Sequence, residues 1–186
     1  MKTLLSESIL LSVLVASCGG QPPPPPVPAP VTANNADLPA STKAEAKSDP
    51  AYASCHNKFK PASSDKDVAA DVEAMAKGCA DATKMKKSGD TLSGELRESA
   101  PPATFQFGVQ AGKCYRVYGM SQSTMQDFDV SWVDSAGALV AQDTTDDVSP
   151  VIAEDGKICF KVTDVTTLRA SAGAGAGKFA LQIWSD

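Results

Sequence analysis

The chain is short of the side chains that most enzymes use. It has one histidine, His56, in 186 residues, and contains neither G-x-S-x-G nor H-E-x-x-H. The common serine and zinc hydrolase layouts therefore lack their parts, and the chain is read as no enzyme. Positive charge is also scarce: 17 Lys and Arg against 22 Asp and Glu leave a net charge of −5. That balance argues against a nucleic-acid partner, whose phosphates call for excess Lys and Arg. No apolar run approaches the roughly 20 residues that a membrane-spanning helix needs. Aromatics are few, at 6%, while alanine, serine and threonine abound. Such a composition builds a small core, to which cross-links add usefully.

What the chain has instead begins at its N-terminus. Lys2 precedes a short apolar run from Ile9 to Ala16, followed by small residues, which is the layout of a signal peptide over residues 1–17. The join Val15-Ala16-Ser17-Cys18 resembles the lipobox of bacterial lipoproteins. By that resemblance Cys18 is lipidated and becomes the mature N-terminus, so the membrane is a partner through the lipid anchor. Each buried methylene contributes about 0.8 kcal/mol, and several acyl chains on one residue hold a protein durably without a transmembrane helix. Gly19 and Gly20 follow with no aspartate beside the cysteine, which in Gram-negative lipoproteins implies export to the outer membrane.

"QPPPPPVPAPV" follows, a polyproline arm of roughly 30 Å at about 3.1 Å per residue. Thr32–Ser48 is polar and alanine-rich with no apolar period, so residues 18–48 are read as a lipidated, proline-rich and disordered tether. A helical segment, 49–89, comes next. Ser48 or Asp49 can cap a helix whose first residue is Pro50, and Pro61 should stop it. Ser64 and Asp67 resemble a capping box for a second helix, with Gly78 as its stop. Val68, Val72, Met75 and Cys79 line one face of that helix, a stripe that needs a partner. Cys55-His56 is not read as a c-type haem site, because Tyr52 stands three residues before Cys55, where that motif has its first cysteine.

From Leu92 on, short alternating runs separated by turn residues predict strands near 92–98, 104–110, 113–120, 127–133, 138–143, 149–154, 157–163 and 178–185. Residues 90–186 are thus expected to form a mainly β domain, a jelly-roll-like β-sandwich of about eight strands. "AGAGAGKF" at 172–179 imitates a phosphate loop, but Ala172 and Phe179 occupy the wrong positions, and it is read as a flexible loop. Phe128, Val130 and Trp132 should share the core face, as should Ile158, Phe160 and Val162, and Tyr115 with Val117. Cys114 and Cys159 fall on the opposite faces of their strands. Of five cysteines, Cys18 has its own fate, and the remaining four allow three connectivities. Keeping each pair within its own segment selects Cys55–Cys79 and Cys114–Cys159. A plain helical hairpin would leave Cys55 about 13 Å short of Cys79, so the helices must cross obliquely or the chain must fold back at Gly78.

"FQFGVQAGKCYRVYG", "DFDVSWVDSAGALVAQD" and "GKICFKVTDV…GAGKFALQIW" together resemble the bacterial pre-peptidase C-terminal domain family. The resemblance covers Leu92–Trp184, roughly half the chain. It implies a jelly-roll-like sandwich of the kind often appended to secreted peptidases, with a role in adhesion or substrate binding. Fold resemblance does not by itself transfer function.

Two features remain. Asp127, Asp129 and Asp134 flank one hairpin, and Asp143, Asp146 and Asp147 follow its second strand. Converging loop carboxylates can supply the oxygen ligands of calcium, but this spacing matches no dedicated calcium loop, and solvated charge is the preferred reading. Tyr118 and Trp184 lie on faces opposite the core, where they are either covered by the Val68–Met75 stripe, the preferred reading, or exposed for stacking on sugars. The chain is therefore expected to be a non-catalytic cell-envelope lipoprotein displaying a binding or structural β-sandwich, with envelope proteins or glycans as partners. The alternative is a calcium-dependent glycan- or peptidoglycan-binding module.

Overall fold

In the computed structural model, residues 37–59, 66–143 and 145–186 are described. The signal segment, Cys18, the proline arm, Pro61 and Ser64 lie outside them. Ten strands and two helices follow in the order β1 (Ala44–Ser48), α1 (Pro50–Phe59), α2 (Val68–Thr83), β2 (Lys86–Lys87), β3 (Leu92–Arg97), β4 (Ala103–Val109), β5 (Cys114–Ser121), β6 (Met125–Val133), β7 (Leu139–Gln142), β8 (Val151–Ile152), β9 (Gly156–Phe160) and β10 (Asp164–Ser185).

The helices start where their caps dictate. Asp49 Oδ1 accepts from the Ala51 N–H at 2.9 Å, and Pro50, with no N–H to satisfy, opens α1. Asp67 itself caps α2, accepting from Ala69 N and Ala70 N at 3.1 and 3.0 Å. Gly78 does not end α2, which continues to Thr83 and closes on Lys84 in the left-handed region at φ 59°. The glycine serves packing instead. A Cβ there would sit 2.6 Å from the Phe59 ring, so only a bare backbone admits α1 this closely. Phe59 meets Gly78 while Cys55 bonds Cys79, with Cα atoms 5.5 Å apart. Four residues along α1 map onto one along α2, so the helices cross rather than run alongside.

The strands form one antiparallel sheet, in the order β1-β9-β5-β10-β6-β7, folded so that its halves face each other. The fold turns on β10. Its first part pairs with β4 and β6, its second with β2, β3 and β5. The "AGAGAG" stretch is thus the corner of a 22-residue strand, not a flexible loop. Register against β6 slips twice between Ala172 and Gly175, Gly175 has φ +84°, and the Asp127 carboxylate lies against the Gly173 backbone. Small residues are what the bend requires.

Between the two halves lies the main core, from Tyr115, Val117, Phe128, Val130, Trp132, Ile158, Phe160, Leu168, Phe179, Leu181 and Ile183. A deep polar contact in it is satisfied: the Trp132 indole N–H donates to Thr166 Oγ1 at 2.7 Å, and that hydroxyl donates to Phe107 O at 3.0 Å. Val162, expected on this core face, is 44% exposed, because β9 ends at Phe160.

The chain is ordered earlier than its composition suggests. Ala44–Ser48, expected to belong to a disordered tether, pairs with β9 as β1. In this edge strand only Ala44 packs against the core and the other four residues are exposed, which is too little burial to impose an apolar period. Just before it, residues 39–43 strap the two halves together. Pro39 and Ser41 exchange backbone hydrogen bonds with Leu139, and the Lys43 ammonium donates to Asp164 Oδ2 at 2.9 Å.

Candidate functional site

The helices cover the outer face of the sheet half that contains β5. Side chains alternate along β5, so Cys114, Arg116, Tyr118 and Met120 face the helices while Tyr115 and Val117 face the main core. All eight residues of β5 are buried. Cys114 and Cys159 are directly opposed in the β5–β9 register and form a disulfide, with Cα atoms 3.9 Å apart. Both expected pairs are therefore present, each within its own segment.

Val72, Met75 and Cys79 of α2 pack over Tyr118 and Trp184, whose rings meet edge to face at 6.4 Å. These two aromatics are buried, so they form no platform for a sugar, and the glycan-binding alternative loses the aromatics on which it rested. The reason is the stripe itself: an amphipathic helix needs an apolar partner, and this sheet face supplies it.

Arg116 was not singled out by sequence reasoning. It is fully buried, its guanidinium 5.1 Å from the Tyr52 ring centre and 5.0 Å from that of Tyr118, and it donates to Glu154 O at 2.7 Å. Stacking on two π faces offsets part of the cost of burial, which pulls the guanidinium below its usual range. Burial pushes both tyrosine hydroxyls up. The signal available in the sequence was only that Arg116 alternates with Tyr115 and Val117. His56 is buried beside this cluster, its Nε2 3.7 Å from the Glu154 carboxylate.

The six aspartates separate. Asp134 belongs to the β6–β7 turn: it accepts from the backbone of Ala136 and Ala138 and from Ser41 Oγ. Burial alone would raise its carboxyl, but these hydrogen bonds hold it below the ordinary value. It is a turn residue, apart from the other five. Asp127 and Asp129 lie next to Asp146 and Asp147 at the β10 corner. Burial, then the neighbouring carboxylates, push Asp127 and Asp129 up. Asp147 Oδ1 accepts from Ser149 N, shaping the turn into β8. Asp143, half-buried at the end of β7, is pushed up to about 6 by burial against the pull of Thr145, whose hydroxyl donates to it. Among the described residues no three His, Cys, Asp or Glu side chains are arranged to hold a metal ion. No described helix is long and apolar enough to cross a membrane.

The class defined by this architecture is an antiparallel β-sandwich with a disulfide-pinned helix pair on one outer face. No protein-family model matches the chain, and no curated protein matches it. Among solved structures it is similar to the pre-peptidase C-terminal domain of a collagenase from Bacillus anthracis, with a TM-score of 0.39 and 10% identity, over 50% of this chain and 87% of that one.

Proposed function

We propose that the protein is a non-catalytic cell-envelope lipoprotein, held in the outer membrane through lipidated Cys18, that displays its sandwich on the tether as a binding or structural module. The observation that carries this reading is the fate of the cysteines. Cys55, Cys79, Cys114 and Cys159 are consumed in two internal disulfides, and the fifth is the one that ends Val15-Ala16-Ser17-Cys18. Structural disulfides belong to oxidising compartments outside the cytosol, which agrees with an exported chain. A stiff proline arm behind the anchor suits a domain meant to reach a partner away from the bilayer.

Cys18→Ser tests the anchor. Expressed in a Gram-negative host, the variant should leave the membrane fraction or accumulate with its signal segment uncleaved. It should also fail to incorporate radiolabelled palmitate. A variant with the membrane partition and mass of the parent overturns the proposal.

A further inference from the structure

The folded sheet does not close. Its path ends at β1 on one side and β7 on the other. Residues 39–41 join β7 in a parallel bridge, Ala40 to Leu139, and then leave it to pair with β9. Beyond this strap the two end strands diverge, and between them lies a cleft of about 300 Å³. Ala141, Val151, Ala153 and Ile158 supply its apolar lining, with Ala46 on the β1 wall and Asp143 on the β7 wall.

The β1 wall is an open strand edge. Lys161 N donates to Lys43 O and Asp49 N donates to Asp155 O, which sets the phase of the β1–β9 ladder. In that phase the backbone of Glu45 and Lys47 faces β9, while the N–H and C=O of Ala44, Ala46 and Ser48 point away from it. No other described strand pairs with this edge. Such an edge is a template for an added strand.

The charge of the cleft is uncompensated in one direction. Lys47 and Lys157 line it, but Lys47 is paired with Glu45 and Lys157 with Asp186, neither of which lines the cleft. Asp143, Glu154 and Asp155 are its carboxylates. Asp143 has the Thr145 hydroxyl as a partner and, among the described residues, no ammonium or guanidinium in an ion pair. An apolar floor ending at a half-buried carboxylate suits a side chain with an aliphatic stem and a cationic head.

We infer that this seam is a docking site for an extended polypeptide that pairs with the Ala44–Ser48 edge and places a lysine or arginine side chain against Asp143. The partner is a protein segment of cationic, strand-forming character. This gives the displayed sandwich of the proposed function its class of partner, yet the geometry does not depend on the anchor. Binding is read in solution, so failure of the anchor test and failure of this one are distinguishable.

The probe is a fluorescein-labelled Thr-Lys-Thr-Lys-Thr-Lys amide, titrated with the full chain and followed by anisotropy. Saturable binding is expected, weakened at least tenfold when glutamates replace the lysines or when the protein carries Asp143→Asn. N-methylation of alternate peptide amides, which blocks strand pairing and keeps the charge, should abolish it. Ala46→Pro, which removes one outward N–H at an edge position where proline is tolerated, should do the same at an unchanged melting temperature. The methylated peptide makes the same test without altering the protein. No saturable binding, equal binding of the methylated peptide, or indifference to Asp143→Asn each overturns the inference.

Discussion

Replacing Asp143 by asparagine should stabilise the protein, and only at the pH values where the native carboxylate is charged. Burial raises its pKa from 3.8 to about 6, with Asp147 and Asp129 adding repulsion. A displacement of that size makes ionisation in the folded state cost about 3 kcal/mol, which partial access of water reduces to about 1–2 kcal/mol. Below about pH 3 the group is protonated whether the chain is folded or not, and it contributes nothing. Between about pH 4 and 6 the folded state holds more protons than the unfolded one, so stability falls as pH rises, and the full penalty stands above pH 6. Asparagine keeps an oxygen for the Thr145 hydroxyl and carries no charge. At pH 7.5 the variant should melt about 3–6 °C above the parent, and at about pH 3 the two should coincide. Calorimetry across that range is the assay. An advantage that is independent of pH, or a less stable variant at pH 7.5, refutes the reasoning. The same substitution that stabilises the fold is the one expected to weaken peptide binding, so the two readouts cannot be confused.

Other substitutions probe the packing. Loop closure assigns about 3.5 kcal/mol to Cys55–Cys79, with a sequence separation of 24, and about 4 kcal/mol to Cys114–Cys159, with a separation of 45. Urea unfolding of the paired serine variants should show both losses, and a double-serine variant as stable as the parent would discount that pair. Gly78→Ala, which in a free helix would gain about 1 kcal/mol, should instead destabilise, because the new methyl meets the Phe59 ring. In a Phe59→Ala background the same change should become favourable, and a double-mutant cycle without that reversal contradicts the close helix crossing.

The parts of the fold legible in the sequence are those with a local cause. Asp49-Pro50 and Asp67 mark helix starts because capping is a matter of neighbouring residues. β3 to β6 show their alternation because every second residue of each meets the main core. The disulfide pairs follow from grouping cysteines by segment, and the difficulty of reach at Cys79 was real, resolved by helices that cross at Gly78. What was not legible depends on distant partners. β1 has only Ala44, Ala46 and Ser48 on its inward face, and the middle of β10 is built from small residues for a corner, so neither shows a marked hydrophobic period. Nearness in sequence groups the acidic residues, whereas Asp134 is drawn into its turn by Ser41 and Asp143 into a cleft whose far wall is β1. A strand hidden in a polar stretch conceals the cleft it helps to form.

The central position of β10 also sets when the molecule can exist at all. The strand that pairs with β2, β3, β4, β5 and β6 is the last of the sheet in chain order. A chain emerging N-terminus first has neither half of its sheet complete until residues 164–185 arrive, so everything before them waits without its common neighbour. Pairings this remote in sequence make for slow folding. The cysteine pairs, all upstream of β10, can close during that interval. Truncation before residue 164 would remove the common neighbour of five strands at once and leave neither half of the sheet with its partner.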